Sequence, residues 1–340
     1  MINKIKVLAA DVDMTLSSKS SPLPKITIQA LQELHNRGVK LGLATGREIT
    51  EMEKTKGIFW KLGFEFDFII GMNGGMIYDR NLDKTFTMDM MSIEEMKEVL
   101  TFLMPIIEEN KVSINVEGNQ LRNVMNISED LLDMSKRRNI PLIDKTGDID
   151  GFCEKPVYKF LFRTDPETTQ LIRDQVEVQY KGKYQTIETF PGTIELMYSG
   201  FSKGRGLEMY CEWNQIHLEN TIAFGDNEND NSLLLTSGWG VCLKDGNPNT
   251  KALADNITDY DCLDGGVGHY IFDHILNNKD VEFIKQQGCG ILEIHTLFIK
   301  ITRFFYSPYI IFYPVFLLLV YTNLKERKPN QHNADWVNNT

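Results

Sequence analysis

Two periodicities alternate along the first eighty residues. Short, largely apolar runs at 7–10, 39–44 and 66–71 are each long enough for one buried strand, and the stretch 25–36 repeats Ile28, Leu31 and Leu34 on one helical face. The first run, uncharged throughout, is of the kind that belongs to a parallel sheet covered on both sides. Gly38 stops the helix, so residues 7–44 read as a β-α-β unit. Its right-handed crossover sets the second strand beside the first and parallel to it. After the third strand, Asn73-Gly74-Gly75 marks a tight turn, and residues 76–78 continue as an extended piece.

From about residue 82 to 189 the pattern changes. Helical stretches at 93–110, 128–138 and 168–180 alternate with strand-like ones at 112–116, 157–162 and 184–189. This reads as an inserted α+β lobe with an antiparallel sheet, able to cover a site as a cap. Strand character returns at 194–197, a helix opens at Lys203 and runs to about Trp213, and residues 221–224 form another buried strand. The expected fold class is α/β: a Rossmann-like parallel-sheet core from residues 1–81 and 190–278, an α+β cap at 82–189, and a separate tail at 279–340. A chain of 340 residues is longer than one hydrophobic core usually organises, which agrees with two domains.

Polar residues at the strand ends carry the candidate chemistry. The first strand ends in Asp11-Val12-Asp13-Met14-Thr15 and so delivers two acids to the edge where open α/β sheets bind ligands. They offer hard oxygen ligands for a divalent cation and, if one is spared, a nucleophile or a proton carrier. The second strand ends in Thr45-Gly46-Arg47, a hydroxyl and a close-approach glycine ahead of a helix, which together make a phosphate seat. Asn73 faces either the substrate or its own turn. Lys203 sits at a helix start, where the dipole disfavours a cation, and so suggests the holding of a phosphoryl group or of a charged nucleophile. After the late strand, Gly225-Asp226-Asn227-Glu228-Asn229-Asp230 places three acids and two amides in five residues, which suits a hard cation but is not the spacing of an EF-hand loop. Within the cap, Arg122 and Lys159 are either substrate contacts or solvated surface charges.

The formal net charge of -11 argues against nucleic acid or an anionic membrane surface as a partner. Five cysteines, Cys153, Cys211, Cys242, Cys262 and Cys289, show no Cys-x-x-Cys spacing and suggest neither a disulfide framework nor a zinc knuckle. The chain opens almost directly on its first strand, leaving no room for a signal peptide, so the catalytic part is expected in the cytoplasm.

The order and spacing of Asp11-x-Asp13-x-Thr15, Ala44-Thr45-Gly46-Arg47, Ser202-Lys203-Gly204 and Gly225-Asp226-x-x-x-Asp230 resemble the haloacid-dehalogenase-like phosphohydrolases of the Cof type, which carry a large α+β cap. Gly240-Val241-Cys242 with Gly246-Asn247, Ala252 to Asp255, and Asp264-Gly265-Gly266-Val267-Gly268 look like that family's closing strand, helix and substrate-side loop. The resemblance implies a Mg²⁺-dependent phosphatase for a small phosphorylated metabolite, a sugar phosphate or a cofactor-precursor phosphate. Asp11 would be the nucleophile that forms an aspartyl-phosphate, and Asp13 the general acid and base. Mg²⁺ would lie on Asp11, the Asp13 backbone carbonyl and Asp226, with Asp230 supporting; Thr45, Gly46, Lys203 and Asn229 would bind the phosphoryl oxygens. Arg47 and Asn73 are further candidates for substrate contact. A phosphosugar mutase shares the aspartyl-phosphate step and is the alternative; a phospho-accepting receiver domain would be much shorter and lack the cap. Met14 stands where the family usually has glycine, and would shift the loop if that position needs φ > 0.

The tail does not fit the resemblance. Residues 291–321 are strongly apolar and residues 304–321 carry no charge, although Pro308 and Pro314 interrupt the run. A membrane anchor, an interfacial helix and a non-native extension remain as readings of it.

Overall fold

The computed structural model describes residues 4–18, 21–118, 122–138, 141–190 and 192–283. The first segment contains β1 (Val7–Ala10), α1 (Lys25–Asn36), β2 (Lys40–Ala44), β3 (Phe68–Gly71), β4 (Met76–Asp79) and β5 (Lys84–Thr87). The second segment contains α2 (Ile93–Glu109), β6 (Ser113–Glu117), β7 (Asn123–Met125), α3 (Glu129–Arg138), β8 (Ile143–Asp144), β9 (Lys159–Arg163), α4 (Pro166–Tyr180), β10 (Tyr184–Phe190) and β11 (Thr193–Tyr198). The chain then returns through α5 (Lys203–Trp213), β12 (Thr221–Gly225), α6 (Asn231–Thr236), β13 (Trp239–Cys242) and β14 (Asn256–Ile257).

Eight strands form the larger sheet in the order β14-β13-β12-β1-β2-β3-β4-β5, parallel from β14 through β3 and antiparallel beyond. The smaller sheet runs β10-β11-β9-β6-β7-β8 and is antiparallel except for β7 with β8. Each sheet has its own apolar core. Leu8, Leu31, Leu34, Leu41 and Phe224 belong to the first, and Val99, Leu103, Phe160, Phe162 and Ile172 to the second. The amphipathic reading of α1 holds: Leu31 and Leu34 are fully buried, together with Ala30, and Ile28 packs half-buried against the same core.

Two boundaries differ from the sequence expectation. Residues 193–198 were expected in the core but pair as β11 with β9 and β10 in the smaller sheet. They follow β10 after only a short turn, and such neighbours pair locally as a hairpin. Residues 84–87 were expected in the cap but extend the larger sheet as β5, by the same hairpin logic with β4. The expected substrate-side loop at Asp264 to Gly268 becomes, from Gly266, a short helix (Gly266–Tyr270). Its Val267 and Tyr270 are buried in the same core as Leu31 and Leu34.

Strand register sets the site. Ala10 of β1 lies opposite Leu43 of β2 and opposite Phe224 of β12. The residues that follow, Asp11, Thr45 and Asp226, therefore leave the sheet at one edge. Among the described residues no helix is long and apolar enough to cross a membrane. The apolar stretch at 291–321 lies outside the described residues.

One close approach joins the strand ends to α5. Gly74 has φ +100°, and a Cβ there would stand 2.2 Å from the carbonyl oxygen of Ser202, the residue just before Lys203. A left-handed conformation alone costs an L-residue ~1–2 kcal/mol, before any clash is counted. Gly74→Ala should therefore lower the urea unfolding free energy by more than about 2 kcal/mol; an unchanged midpoint would mean that this contact is not made.

Candidate active site

Lys203 occupies the centre of the site. The first residue of α5, it is wholly buried, and its Nζ donates to Asp11 Oδ1 and to Asp230 Oδ1, both at 2.6 Å. A cation at this helix start is thus compensated by two carboxylates. The second oxygen of Asp230 accepts from the backbone N–H of Asp226 at 2.9 Å and of Asn227 at 3.2 Å. Asp230 therefore ties the ammonium to the loop that follows β12. Gly225 makes this fold-back feasible, because a Cβ there would lie 2.4 Å from that of Asp230.

Asp11, Asp226 and Asp230 each bring a carboxylate oxygen within 4.8 Å of the others. Thr15 fixes one of them, its hydroxyl donating to Asp226 Oδ1 at 2.6 Å. The charge balance of this group is unfavourable, with three buried or half-buried acids facing a single ammonium. Burial, outweighing Lys203, pushes Asp11 up to about 7; burial and the neighbouring Asp230 and Asp11 push Asp226 up to about 9. Lys203 is held above its ordinary range by Asp11 and Asp230 in spite of its burial. Hard oxygen donors with an excess of negative charge are the donor set a divalent cation fits.

Asp13 lies at the rim. Arg47 grips its carboxylate with two donors, Nε to Oδ2 at 2.9 Å and Nη2 to Oδ1 at 2.5 Å. The guanidinium expected as a substrate contact is thus committed to an acid of the first motif. Thr45 is buried, and its hydroxyl accepts from the Arg47 N–H at 3.2 Å. Met14 adopts φ +68°, the left-handed region its position was suspected to require. The loop keeps its course with methionine in place of glycine, at the conformational cost that accompanies a side chain there.

Asn73, also left-handed at φ +49°, is fully buried. Its amide donates to Glu195 Oε2 at 2.6 Å and accepts from Asn229 Nδ2 at 3.3 Å, so both polar atoms engage protein groups. Lys159 is not a solvated surface charge: it is 1 % exposed, and its Nζ reaches the Gly46 carbonyl at 2.8 Å, Glu195 at 2.7 Å and Glu117 at 3.1 Å. The site loop also grips the smaller sheet from its other side. Glu228 pairs with Arg173 at 3.1 and 2.7 Å, and Asn227 donates to the Thr189 carbonyl at 2.7 Å. Sequence reasoning missed Arg173 and Glu195 as site-forming residues, and neither carried a local signal. Thr15 and Glu228 stand inside the quoted motifs, but their partners, Asp226 and Arg173, could not be read there.

A cavity of about 410 Å³ opens beside Arg47. Phe59 and Trp60 line it from the core and Glu117, Arg122 and Met134 from the smaller-sheet lobe. The volume is within the range of small-molecule sites.

The model of the haloacid dehalogenase-like hydrolase family matches residues 8–271. A protein of Streptococcus pyogenes serotype M6, provisionally named a phosphatase, is 26% identical over 273 residues, covering 80% of this chain and 99% of the relative. The HMP-PP phosphatase of Yersinia pseudotuberculosis is 25% identical over 277 residues, covering 78% of this chain and 94% of the relative. Among solved structures, a sugar phosphatase of subclass IIB of the superfamily has a TM-score of 0.66 at 22% identity, covering 78% of this chain and 98% of its own. A Streptococcus mutans protein reaches 0.67 at 18% identity, covering 80% and 99%. Both structures share the fold.

The raised carboxyl groups give a pH-dependent expectation. Well below the ordinary Asp pKa of about 3.9 both acids are protonated whether the chain is folded or not, and nothing is at stake. As pH rises toward about 7 and 9, the unfolded chain releases protons that Asp11 and Asp226 retain, so the stability of the metal-free protein falls. A bound divalent cation replaces those protons. The rise in thermal midpoint on adding Mg²⁺ to EDTA-treated protein should therefore be larger at pH 8 than at pH 6; a shift of equal size or none would remove the cation from this cluster.

Proposed function

The chain belongs to the haloacid dehalogenase-like hydrolases, and we propose that it is a Mg²⁺-dependent phosphatase of small phosphorylated metabolites, a sugar phosphate or a cofactor-precursor phosphate. The observation that carries this reading is the meeting of Asp11, Asp226 and Asp230 around Lys203, at the sheet edge where Thr45 also emerges. The relatives named as phosphatases support the reaction class, and the sugar and HMP-PP phosphatases among them support the substrate size.

Asp11 is the proposed nucleophile. One carboxylate oxygen forms a bond to phosphorus as the phosphorus–oxygen bond to the leaving alcohol breaks, giving an aspartyl-phosphate. Asp13 delivers the proton that the departing alkoxide needs, then takes one from the water that cleaves the acyl phosphate, releasing orthophosphate and restoring Asp11. Arg47 keeps the Asp13 carboxylate oriented through both transfers. Thr45, Gly46, Lys203 and Asn229 bind the phosphoryl oxygens. Asp11, the Asp13 backbone carbonyl and Asp226 would hold Mg²⁺, with Asp230 steadying Lys203 and the loop. When bound, the metal supplies the positive charge without which an acidic cluster would repel a phosphate.

Release of orthophosphate from a panel of metabolite monoesters, with Mg²⁺ and with EDTA, tests the proposal. Turnover should require the metal, and Asp11→Asn should abolish it while leaving circular dichroism unchanged; a fully active Asp11→Asn variant would refute the assignment of the nucleophile. Conversion to an isomeric sugar phosphate without release would instead favour a mutase. A second expectation separates proton transfer from binding. Asp13→Asn should lower kcat/KM by ~10²–10⁴-fold for an alkyl phosphate and far less for 4-nitrophenyl phosphate, whose leaving group departs without a proton. Arg47→Ala should show the same asymmetry to a smaller degree, and equal losses on both substrates would place Asp13 outside proton transfer.

A further inference from the structure

The two sheets are joined by a buried polar chain of which the mechanism above uses only the two ends, Gly46 and Asn229. Lys159 on β9, Glu117 on β6 and Glu195 on β11 come from adjacent strands of the smaller sheet, with Lys159 directly opposite Glu117 and Glu195 opposite Leu161. From the Lys159 ammonium one contact goes to each of these acids and a third crosses to the Gly46 carbonyl. Glu195 continues the chain to Asn73, and Asn73 to Asn229. A buried ion pair is weak evidence for a role in stability, since apolar side chains of similar volume usually serve as well. What such side chains could not do is reach two polar groups of the larger sheet's loops. Those groups, Gly46 and Asn229, are two of the four assigned above to the phosphoryl oxygens. The conformation of Asn73 points the same way: an L-residue held left-handed and fully buried is kept there by its surroundings, and its two partners are Glu195 and Asn229.

We propose that Lys159 and Glu195 are positioning residues of the phosphate seat, Lys159 fixing Gly46 directly and Glu195 fixing Asn229 through Asn73, so that the seat is complete only with the smaller sheet docked. The inference rests on the phosphatase reading. It assigns these residues to the phosphoryl group and not to the leaving alcohol, the opposite of Asp13 and Arg47. Misplacing a binding group by about 1 Å can cost up to ~10²-fold in rate.

The test uses the full chain with Mg²⁺ and two variants, Glu195→Gln and the charge-neutral pair Lys159→Met with Glu195→Gln. Each is assayed on 4-nitrophenyl phosphate and on an alkyl phosphate, with orthovanadate as competitive inhibitor and the thermal midpoint recorded. Expected is a fall in kcat/KM by roughly 10–100-fold, equal for both substrates and matched by an equal weakening of vanadate inhibition. Parental kcat/KM and vanadate inhibition in a folded variant would overturn the proposal, as would a loss confined to one substrate. If the paired variant does not fold, Glu195→Gln alone decides by the same two readouts. A parental protein that neither hydrolyses any monoester nor binds vanadate would overturn the phosphatase reading and this one with it, a result distinct from an active parent with unaffected variants.

Discussion

Three carboxylates crowded about one buried ammonium are the constraint around which this molecule is arranged. Asp11, Asp226 and Asp230 arrive from the ends of two neighbouring parallel strands, and Lys203 from the first turn of a helix that the dipole alone would leave to an acid. None of the four groups is satisfied by its own element. Lys203 needs both Asp11 and Asp230 to be buried at all; Asp230 in turn closes the loop that orients Asp226, and Thr15 anchors Asp226 from the first motif. The central strands must keep their register for these contacts to exist.

The smaller sheet completes this arrangement. Its excursion leaves the core after β5 and returns before α5, next to the residues it covers. Five consecutive residues then face two ways. Asp226 and Asp230 turn toward the ammonium cluster, while Asn227 and Glu228 hold the Thr189 carbonyl and Arg173. The polarity of this loop, surplus for a turn, is divided between chemistry and docking.

Much of the core could be read in advance because its signals are local. The boundaries of α1 and the start of α5 follow from apolar spacing, Gly38 and Ser202, and the acids at the strand ends announce themselves by interrupting apolar runs. The relation between sheets was not legible. Lys159 reads as a substrate contact or a solvated charge and Glu195 as part of a core strand, and only the pairing of β9 with β11 and the approach of both to Gly46 and Asn73 turn them inward. Residues 193–198 were misplaced for the same reason, since an apolar strand fits either sheet until its partner is known. Arg47 reads as a substrate contact because its acid lies 34 residues away, across the first crossover.

Any parting of the two sheets must undo contacts of contrasting character. The Arg173–Glu228 pair has side chains 25% and 32% exposed, so solvent reaches it. The Lys159 ammonium, 1% exposed, is out of solvent's reach where it meets the Gly46 carbonyl. One flank of the junction is thus wet and the other dry.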